Sequence, residues 1–227
     1  RPVSFFGRAW AILCKDLQAE WRTKQRLSPM IFFVLLVLLV FNFSFELGGA
    51  ALREIGPGVL WSSYVFASLL SLGRSFADER ENNAIDALIM APGDRGAIYL
   101  GKMLGNLVFL LAIEMMSLPF FALFFNLSPG FFLLPLLVVF LLGSACLASV
   151  GTLFAAISNN MRLRELLLPL LLLPMVLPAL ISCVEATGLV LAESRSDALY
   201  PHLQMLGIYA VVFTVLSLML FEYAIEE

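Results

Sequence analysis

Long apolar stretches alternate with short polar segments along this chain, and six of them are long enough to cross a lipid bilayer. The hydrocarbon core of a bilayer is about 30 Å thick and needs about 20 apolar residues of helix. The stretches are Leu27–Phe45, Ile55–Gly73, Met103–Asn126, Phe131 to about Ile157, Leu166–Val184 and Leu203–Phe221. Only the third contains a charged residue, Glu114. The pattern predicts an all-α integral membrane protein with six transmembrane helices, forming a single transmembrane domain over residues 1–227.

The first 26 residues show a helical periodicity of a different kind. Apolar residues recur at Phe6, Trp10, Leu13, Leu17 and Trp21, and basic residues recur on another side at Arg8, Lys15 and Arg22. Basic side chains suit anionic headgroups, and tryptophan suits the depth of the membrane interface. Residues 1–26 are therefore predicted to form an interfacial amphipathic helix, which we expect to be retained because no long apolar block marks a cleavable signal peptide. A solvated helix packed on a neighbouring subunit is the alternative.

The composition agrees with a membrane protein, and the basic residues indicate its orientation. The chain is 61% hydrophobic and 14% charged, whereas soluble proteins average about 25% charged residues. Twelve Lys and Arg residues lie before the first span, between spans two and three, and between spans four and five, whereas the opposite loops hold only Arg53 and Arg195. Basic residues concentrate in cytoplasmic loops. Both termini and the loop of residues 74–102 are therefore predicted to face the cytoplasm.

Two spans have features that affect helix packing. Small residues recur every fourth position in span four, at Ser144, Ala148, Thr152 and Ala156. Such a stripe allows close helix approach in lipid, either within the subunit, which we favour, or in a homodimer. Span five contains Pro169, Pro174 and Pro178, and since each removes a backbone hydrogen bond, we expect this helix to be kinked or partly broken.

The loop of residues 74–102 ends in GAIYLGKM, which matches seven of the eight positions of the phosphate-binding pattern G-x-x-x-x-G-K-[ST]. Met103 replaces the hydroxyl that would hold Mg²⁺, and the motif runs directly into a transmembrane span without a preceding strand. We therefore expect no nucleotide site and no enzymatic activity in this chain. Pro92, Gly93 and Gly96 instead suggest a turn into the membrane, with Lys102 extending its ammonium group to the cytoplasmic edge.

The middle of this loop has the pattern of a short acidic amphipathic helix. Its apolar stripe is Ile85, Leu88 and Ile89, and its charges are Asp78, Glu79, Arg80, Glu81 and Asp86. A negatively charged helix is poorly suited to an anionic membrane surface. The pattern therefore favours contact with a protein partner.

The run FADERENNAIDALIMAP, placed between the second and third of six spans, resembles the coupling region of type 2 ABC exporter permeases. With the wider run IGPGVLWSSYVFASLLSLGRS before it, the chain most closely resembles the CcmB family, the permease subunit of the cytochrome c maturation system. The resemblance implies a multi-pass protein of the bacterial inner membrane. Its implied partners are a separate cytoplasmic ABC ATPase, a haem-handling membrane protein and a periplasmic haem chaperone.

The resemblance also implies which residues act. The family has no catalytic residues, and its coupling helix contacts the ATPase. The positions implied here are Glu79, Arg80, Glu81, Ile85, Leu88 and Pro92. Haem would be a substrate and not a bound cofactor, and ATP would act only through the partner subunit. The family's role is described either as moving haem or as using ATP to release the loaded chaperone.

Two polar residues of the spans are candidate functional groups. Glu114 lies midway along span three, where a charge is costly, so its carboxyl is expected to be protonated, paired or in a polar cavity. It is a functional candidate or a structural hydrogen-bonding group, with Asn106, Ser117 or a group on another helix as its partner. His202, the single histidine, is a weak candidate for haem ligation and is more typical of an interfacial residue.

Other functions remain open on sequence grounds. An exporter permease for a lipid or drug would have the same architecture, and so would a scaffold that holds partner subunits together without transport. An intramembrane enzyme or a metal site would need converging His, Asp or Glu residues, and only Glu114 is available within the spans. Lipid and protein, and not nucleic acid, are the expected partners.

Overall fold

The computed structural model describes residues 4–44, 50–76, 94–125, 133–159, 164–192 and 196–226, and these form seven α-helices with no strand among them. The helices are α1 Phe5–Thr23, α2 Leu27–Ser44, α3 Ala50–Leu72, α4 Gly96–Phe124, α5 Leu133–Asn159, α6 Arg164–Leu191 and α7 Ser196–Glu226. Helices α2 to α7 are each long and apolar enough to cross a membrane. The predicted all-α architecture with six spans is confirmed.

Helix α4 begins earlier than the apolar pattern predicted. Its first residue is Gly96, whereas the apolar window opened at Met103. The Asp94 carboxylate accepts a hydrogen bond of 2.8 Å from the Gly96 N–H and so satisfies one of the free donors at the helix start. The expectation that Gly96 belongs to a turn is wrong, while Pro92 and Gly93 lie outside the described residues.

Helix α5 lies at the centre of the bundle and packs against α3, α4, α6 and α7. Its small residues Ser144, Ala148, Thr152 and Ala156 are all buried. Beside them, a Cβ atom on Gly143 would lie 2.2 Å from the Trp61 ring of α3. The stripe is therefore core packing within one chain, as favoured from the sequence, and does not face a second copy.

Helix α6 contains three prolines and is nevertheless one continuous helix. Each proline lacks the backbone N–H that would bond to the preceding turn. Neighbouring helices commonly support proline-containing helices in membranes, and α6 packs against α3, α5 and α7. The expected partial break is absent from α6.

Helix α1 packs lengthwise against α4. Its buried residues are Ala9, Ile12, Leu13, Asp16 and Glu20, at the spacing of one helical face. An adjacent face exposes Phe6, Trp10 and Trp21, and another exposes Lys15 and Arg22. The amphipathic helix predicted from the sequence thus has three faces, and the face that contacts the protein includes two carboxylates.

The α1–α4 contact depends on glycine. A Cβ atom on Gly101 would lie 2.7 Å from the Ala9 carbonyl oxygen and 2.8 Å from the Ile12 Cβ atom, so the backbones themselves would have to separate. A Cβ atom on Gly105, one turn later, would be 3.8 Å from its nearest neighbours on α1, which is ordinary contact. Only the first glycine is required by this packing.

Gly101→Ala is therefore expected to destabilise the protein by about 1 to 3 kcal/mol, the usual cost of overpacking. Gly105→Ala is the matched control on the same helix face, and we expect it to be neutral or slightly stabilising because alanine is the better helix former. Thermal unfolding of the detergent-solubilised protein measures both. Equal melting temperatures for the two variants would contradict the close approach of α1 at Gly101.

Candidate functional site

The six predicted coupling residues lie outside the described residues, within the segment 77–93. They are Glu79, Arg80, Glu81, Ile85, Leu88 and Pro92. The structure describes both ends of this segment, because α3 and a following turn reach Phe76 and the chain is described again from Asp94. The structure therefore describes how both ends of this segment are attached to the membrane helices.

Ser75 is the central acceptor at the start of the loop, and it is fully buried. Its carbonyl oxygen accepts a hydrogen bond of 2.8 Å from Lys102 Nζ and one of 3.4 Å from Arg26 Nη2. Its hydroxyl oxygen accepts a bond of 3.3 Å from Asn106 Nδ2. Ser75, two positions before the segment 77–93, is thus bonded to the N-terminal part of the chain and to α4, which follows that segment.

Lys102 does not extend to the cytoplasmic edge as expected from the sequence, because it is 1% exposed. Its ammonium group lies 2.9 Å from Asp16 Oδ2 on α1 and 5.4 Å from the centre of the Phe76 ring. Helix α1 covers this position, so the lysine is desolvated and needs a counter-ion. The ammonium group that the GAIYLGKM pattern would direct to a phosphate is instead bonded to the protein itself.

Asn106 extends these contacts into the core. The same Nδ2 group that bonds to Ser75 lies 2.9 Å from Thr152 Oγ1 on α5. About two turns earlier on the same side of α4, the Tyr99 hydroxyl donates a bond of 2.9 Å to the Ser149 carbonyl of α5. We call Asp16, Arg26, Ser75, Lys102, Asn106 and Thr152 the loop anchor. It joins α1, the start of α2, the end of α3, α4 and α5.

The turn between α1 and α2 is fixed beside the loop anchor. Glu20 Oε1 accepts hydrogen bonds of 2.9 Å from the Arg26 N–H and 2.8 Å from the Leu27 N–H, which are donors at the start of α2. A carboxylate at this position also interacts favourably with the helix dipole. Arg74 Nη1 donates a 3.3 Å bond back to the Gln25 carbonyl. A hydrogen bond therefore joins the residues after α3 to the α1–α2 turn.

Glu114 lies deeper in the bundle and is fully buried. Its Oε1 atom accepts a hydrogen bond of 2.6 Å from the Ser144 hydroxyl of α5, while Oε2 has no hydrogen-bond partner among the described residues. Of the partners considered on its own helix, Ser117 bonds to the Glu114 backbone carbonyl, and Asn106 belongs to the loop anchor. The Glu114 side chain thus links α4 to α5.

Further hydrogen bonds surround this carboxyl group. The Tyr64 hydroxyl and the Ser117 hydroxyl are 2.8 Å apart, which joins α3 to α4, and Trp61 Nε1 donates a bond of 2.8 Å to Thr187 Oγ1, which joins α3 to α6. The Trp61 and Tyr64 rings also pack edge-to-face on Phe140 of α5. Hydrogen bonds and aromatic packing therefore join α3 to α4, α5 and α6 in the interior of the bundle.

His202 lies near the start of α7, at the opposite end of the bundle from the loop anchor. Its Nδ1 atom is 3.4 Å from Glu185 Oε2 of α6, and both side chains are partly exposed. A shallow groove of about 510 Å³ runs along α7 beside it and includes Met205 and Tyr209. Within the described ranges, no group of three or more His, Cys, Asp or Glu residues has the geometry of a metal site. Haem ligation by His202 stays a hypothesis.

A model of the family described as CcmB protein matches residues 7–227. The chain belongs to the CcmB family. Two relatives named heme exporter protein B are each 34% identical to it: that of Rhodobacter capsulatus over 77% of this chain and 80% of its own length, and that of Paracoccus denitrificans over 78% and 80%. The protein of the same name from Pseudomonas aeruginosa is 31% identical over 75% of this chain and 76% of its own length. The resemblance noted in the sequence is confirmed.

The loop anchor of this CcmB protein was only partly visible in its sequence. Lys102 stood out because it belongs to a motif, but Asp16, its partner, did not. A signal for Asp16 was present: it continues the spacing of Ala9, Ile12 and Leu13, so a carboxylate lies on an apolar face of α1. Ser75 carried no signal, because its carbonyl oxygen accepts the bonds from Lys102 and Arg26.

Glu114→Gln is expected to preserve the stability of the protein, since the amide oxygen can accept the Ser144 bond without carrying a charge. Glu114→Ala is expected to cost about 1 to 3 kcal/mol because it leaves the Ser144 hydroxyl unpaired in a buried site. The melting temperature and the membrane level of each variant are the measurements. If glutamine were as damaging as alanine, acceptance of the Ser144 bond would not account for the contribution of Glu114 to stability.

Proposed function

We propose that this CcmB protein is the permease subunit of an ABC transport complex that handles haem for the assembly of c-type cytochromes. The observation that carries the proposal is the family match over residues 7–227, with relatives named heme exporter protein B that align over three quarters or more of their own lengths. Six apolar helices supply the membrane-spanning part of such a complex. Haem is its substrate, or the cargo of a chaperone that the complex releases.

The energy source in this proposal is a separate cytoplasmic ATPase. The lysine of GAIYLGKM is buried against Asp16 and the Ser75 carbonyl, so this motif provides no accessible phosphate site. A permease driven by a partner needs a contact surface whose movement reaches the membrane helices. The segment 77–93 is the proposed contact, and the loop anchor supports it because it holds the residues on both sides of that segment.

Two further partners belong to the proposal, a haem-handling membrane protein and a periplasmic haem chaperone. The protein would lie in the bacterial inner membrane with both termini in the cytoplasm. The loop anchor, with Asp16, Arg26 and Lys102, would then lie at the cytoplasmic side, and the His202–Glu185 pair at the periplasmic side. This orientation follows the distribution of Lys and Arg in the loops.

The double variant Ile85→Ala/Leu88→Ala tests the proposed function. Apolar anchors usually carry most of the binding energy of an interface, and truncation of one costs about 2 kcal/mol or more. We expect the variant to reach the membrane at normal levels, to lose co-purification of the ATPase and to lower the yield of haem-stained c-type cytochromes. Charge reversal at Glu79 or Glu81 should weaken ATPase binding less and in a salt-dependent manner.

Leu123→Ala is the matched control, because this leucine lies on α4 with 74% of its surface exposed and outside the loop. It should leave both ATPase binding and cytochrome yield unchanged. Normal ATPase binding and normal cytochrome yield in the double variant would show that the loop is not the coupling element. The proposed function itself would be wrong if no ATPase co-purified with the unmodified protein and if deletion of the protein left cytochrome assembly intact.

The orientation has its own test by thiol labelling. In a Cys14→Ser background, which removes the one partly exposed native thiol among the described residues, we expect Ser194→Cys to react with an impermeant reagent added to spheroplasts. Asn83→Cys should react only after lysis, which also serves as the control for its reactivity. The reverse pattern would place the termini in the periplasm.

A further inference from the structure

We propose that Lys102 and Asp16 are positioning residues that make α1, the end of α3 and the start of α4 move as one unit when the partner ATPase displaces the segment 77–93. The inference rests on the proposed function and names the residues through which it operates. The role proposed for them is not substrate binding. Their role is to convert displacement of the loop into displacement of transmembrane helices.

The contacts of Lys102 and Asp16 lie close to both ends of the segment 77–93. Ser75 immediately precedes Phe76, the last described residue before the segment, and Lys102 lies six residues after Gly96, the first residue of α4. One ammonium group bonds to the Ser75 carbonyl at 2.8 Å and pairs with Asp16 at 2.9 Å. The side chains of Lys102 and Asp16 thus connect the helix before the loop, the helix after it and the amphipathic helix α1.

Burial makes this connection rigid. Lys102 is 1% exposed and Asp16 is 6% exposed, so water cannot replace either partner without unpacking α1 from α4. A buried ion is strongly disfavoured without its counter-ion, so the two charges are expected to stay together as the helices move. The close approach at Gly101, one residue away, adds contact between the two backbones.

Hydrogen bonds continue from this pair along α4 to α5. Asn106 lies one turn beyond Lys102 on the buried face of α4 and bonds both to Ser75 Oγ and to Thr152 of α5. Glu114 lies two turns further and bonds to Ser144 of the same helix. Displacement of α4 would therefore act on α5, which packs against α3, α6 and α7.

The test uses the full chain in its intact complex with the ATPase and the other maturation proteins. Lys102→Met should leave the docking residues of the loop in place, so the ATPase should still co-purify. The amount of haem-bound cytochrome c formed per ATP hydrolysed should fall about tenfold, the order of effect seen for substitutions along a coupling path. Wild-type cytochrome yield per ATP would overturn the proposal.

Lys102→Met leaves Asp16 buried and without its main partner, so this variant risks misfolding. The double variant Asp16→Leu/Lys102→Met removes both charges, and replacement of a buried pair by apolar residues is often neutral for stability. It also lacks the bond to Ser75. We expect it to accumulate and to bind the ATPase, yet to remain uncoupled. A double variant with wild-type yield per ATP would show that the pair serves folding alone and would overturn the proposal.

Lys15→Ala is the matched control. Lys15 Nζ lies 3.5 Å from Asp16 Oδ1, but its side chain is half-exposed, so this contact with the same carboxylate is expected to contribute little. Normal coupling in this variant, beside the loss in the double variant, would assign the effect to the buried pair. Equal loss in both variants would overturn the assignment to Lys102.

The outcome separates this inference from the function on which it rests. If the unmodified complex supports cytochrome assembly and the loop variant Ile85→Ala/Leu88→Ala abolishes it, the proposed function stands, whatever Lys102 does. Uncoupling by the Lys102 variants with retained ATPase binding then supports the positioning role. Failure of the unmodified protein to bind an ATPase contradicts the function before the pair is tested.

Discussion

The structure depends on how the chain accommodates one lysine near the N-terminal end of an apolar helix, α4. A buried ammonium group must be paired and hydrogen-bonded, because the loss of its hydration costs several kcal/mol. Asp16 supplies the counter-charge and the Ser75 carbonyl accepts a hydrogen bond. Asp16 can reach Lys102 because Gly101 lets α1 lie directly on α4. The buried charge of Lys102 is therefore stabilised by helix α1, by the close approach at Gly101 and by the end of α3 together.

Deeper in the bundle, the helices associate under a different constraint. In lipid, apolar surfaces gain little by leaving their surroundings, so close packing of small residues and hydrogen bonds between helices must contribute more. Helix α5 shows both, with its small residues buried and its Ser144 hydroxyl bonded to Glu114. Many apolar side chains of α7, such as Ile208 and Met219, remain exposed, as expected of a helix that faces lipid or another membrane protein.

The sequence predicted the existence of all six spans because charge-free length is a direct consequence of bilayer thickness. The sequence misplaced the start of α4, because the charge-free window that defined the span stopped at Lys102. Within a single segment, a lysine that is paired across helices cannot be distinguished from a solvated one. The same limit explains the wrong expectation that Lys102 reaches the membrane edge. Hydropathy describes one helix at a time, whereas the Lys102–Asp16 pair joins residues 86 positions apart. The bonds to the Ser75 carbonyl were beyond prediction because a backbone acceptor has no residue-type signature.

The loop anchor also bears on how the segment 77–93 would transmit a force in the proposed function. A segment whose ends are free can absorb displacement at its centre by adjusting its flanking residues. Here the Ser75 carbonyl accepts hydrogen bonds from Lys102, which follows the segment, and from Arg26, which precedes α2. The residues on the two sides of the segment are therefore bonded to each other and to the membrane helices. Closing a loop in advance also removes part of the entropy that ordering it against a partner would cost. In the proposed function, a partner that displaced this segment would therefore act on both of its ends together, and on α4 with them.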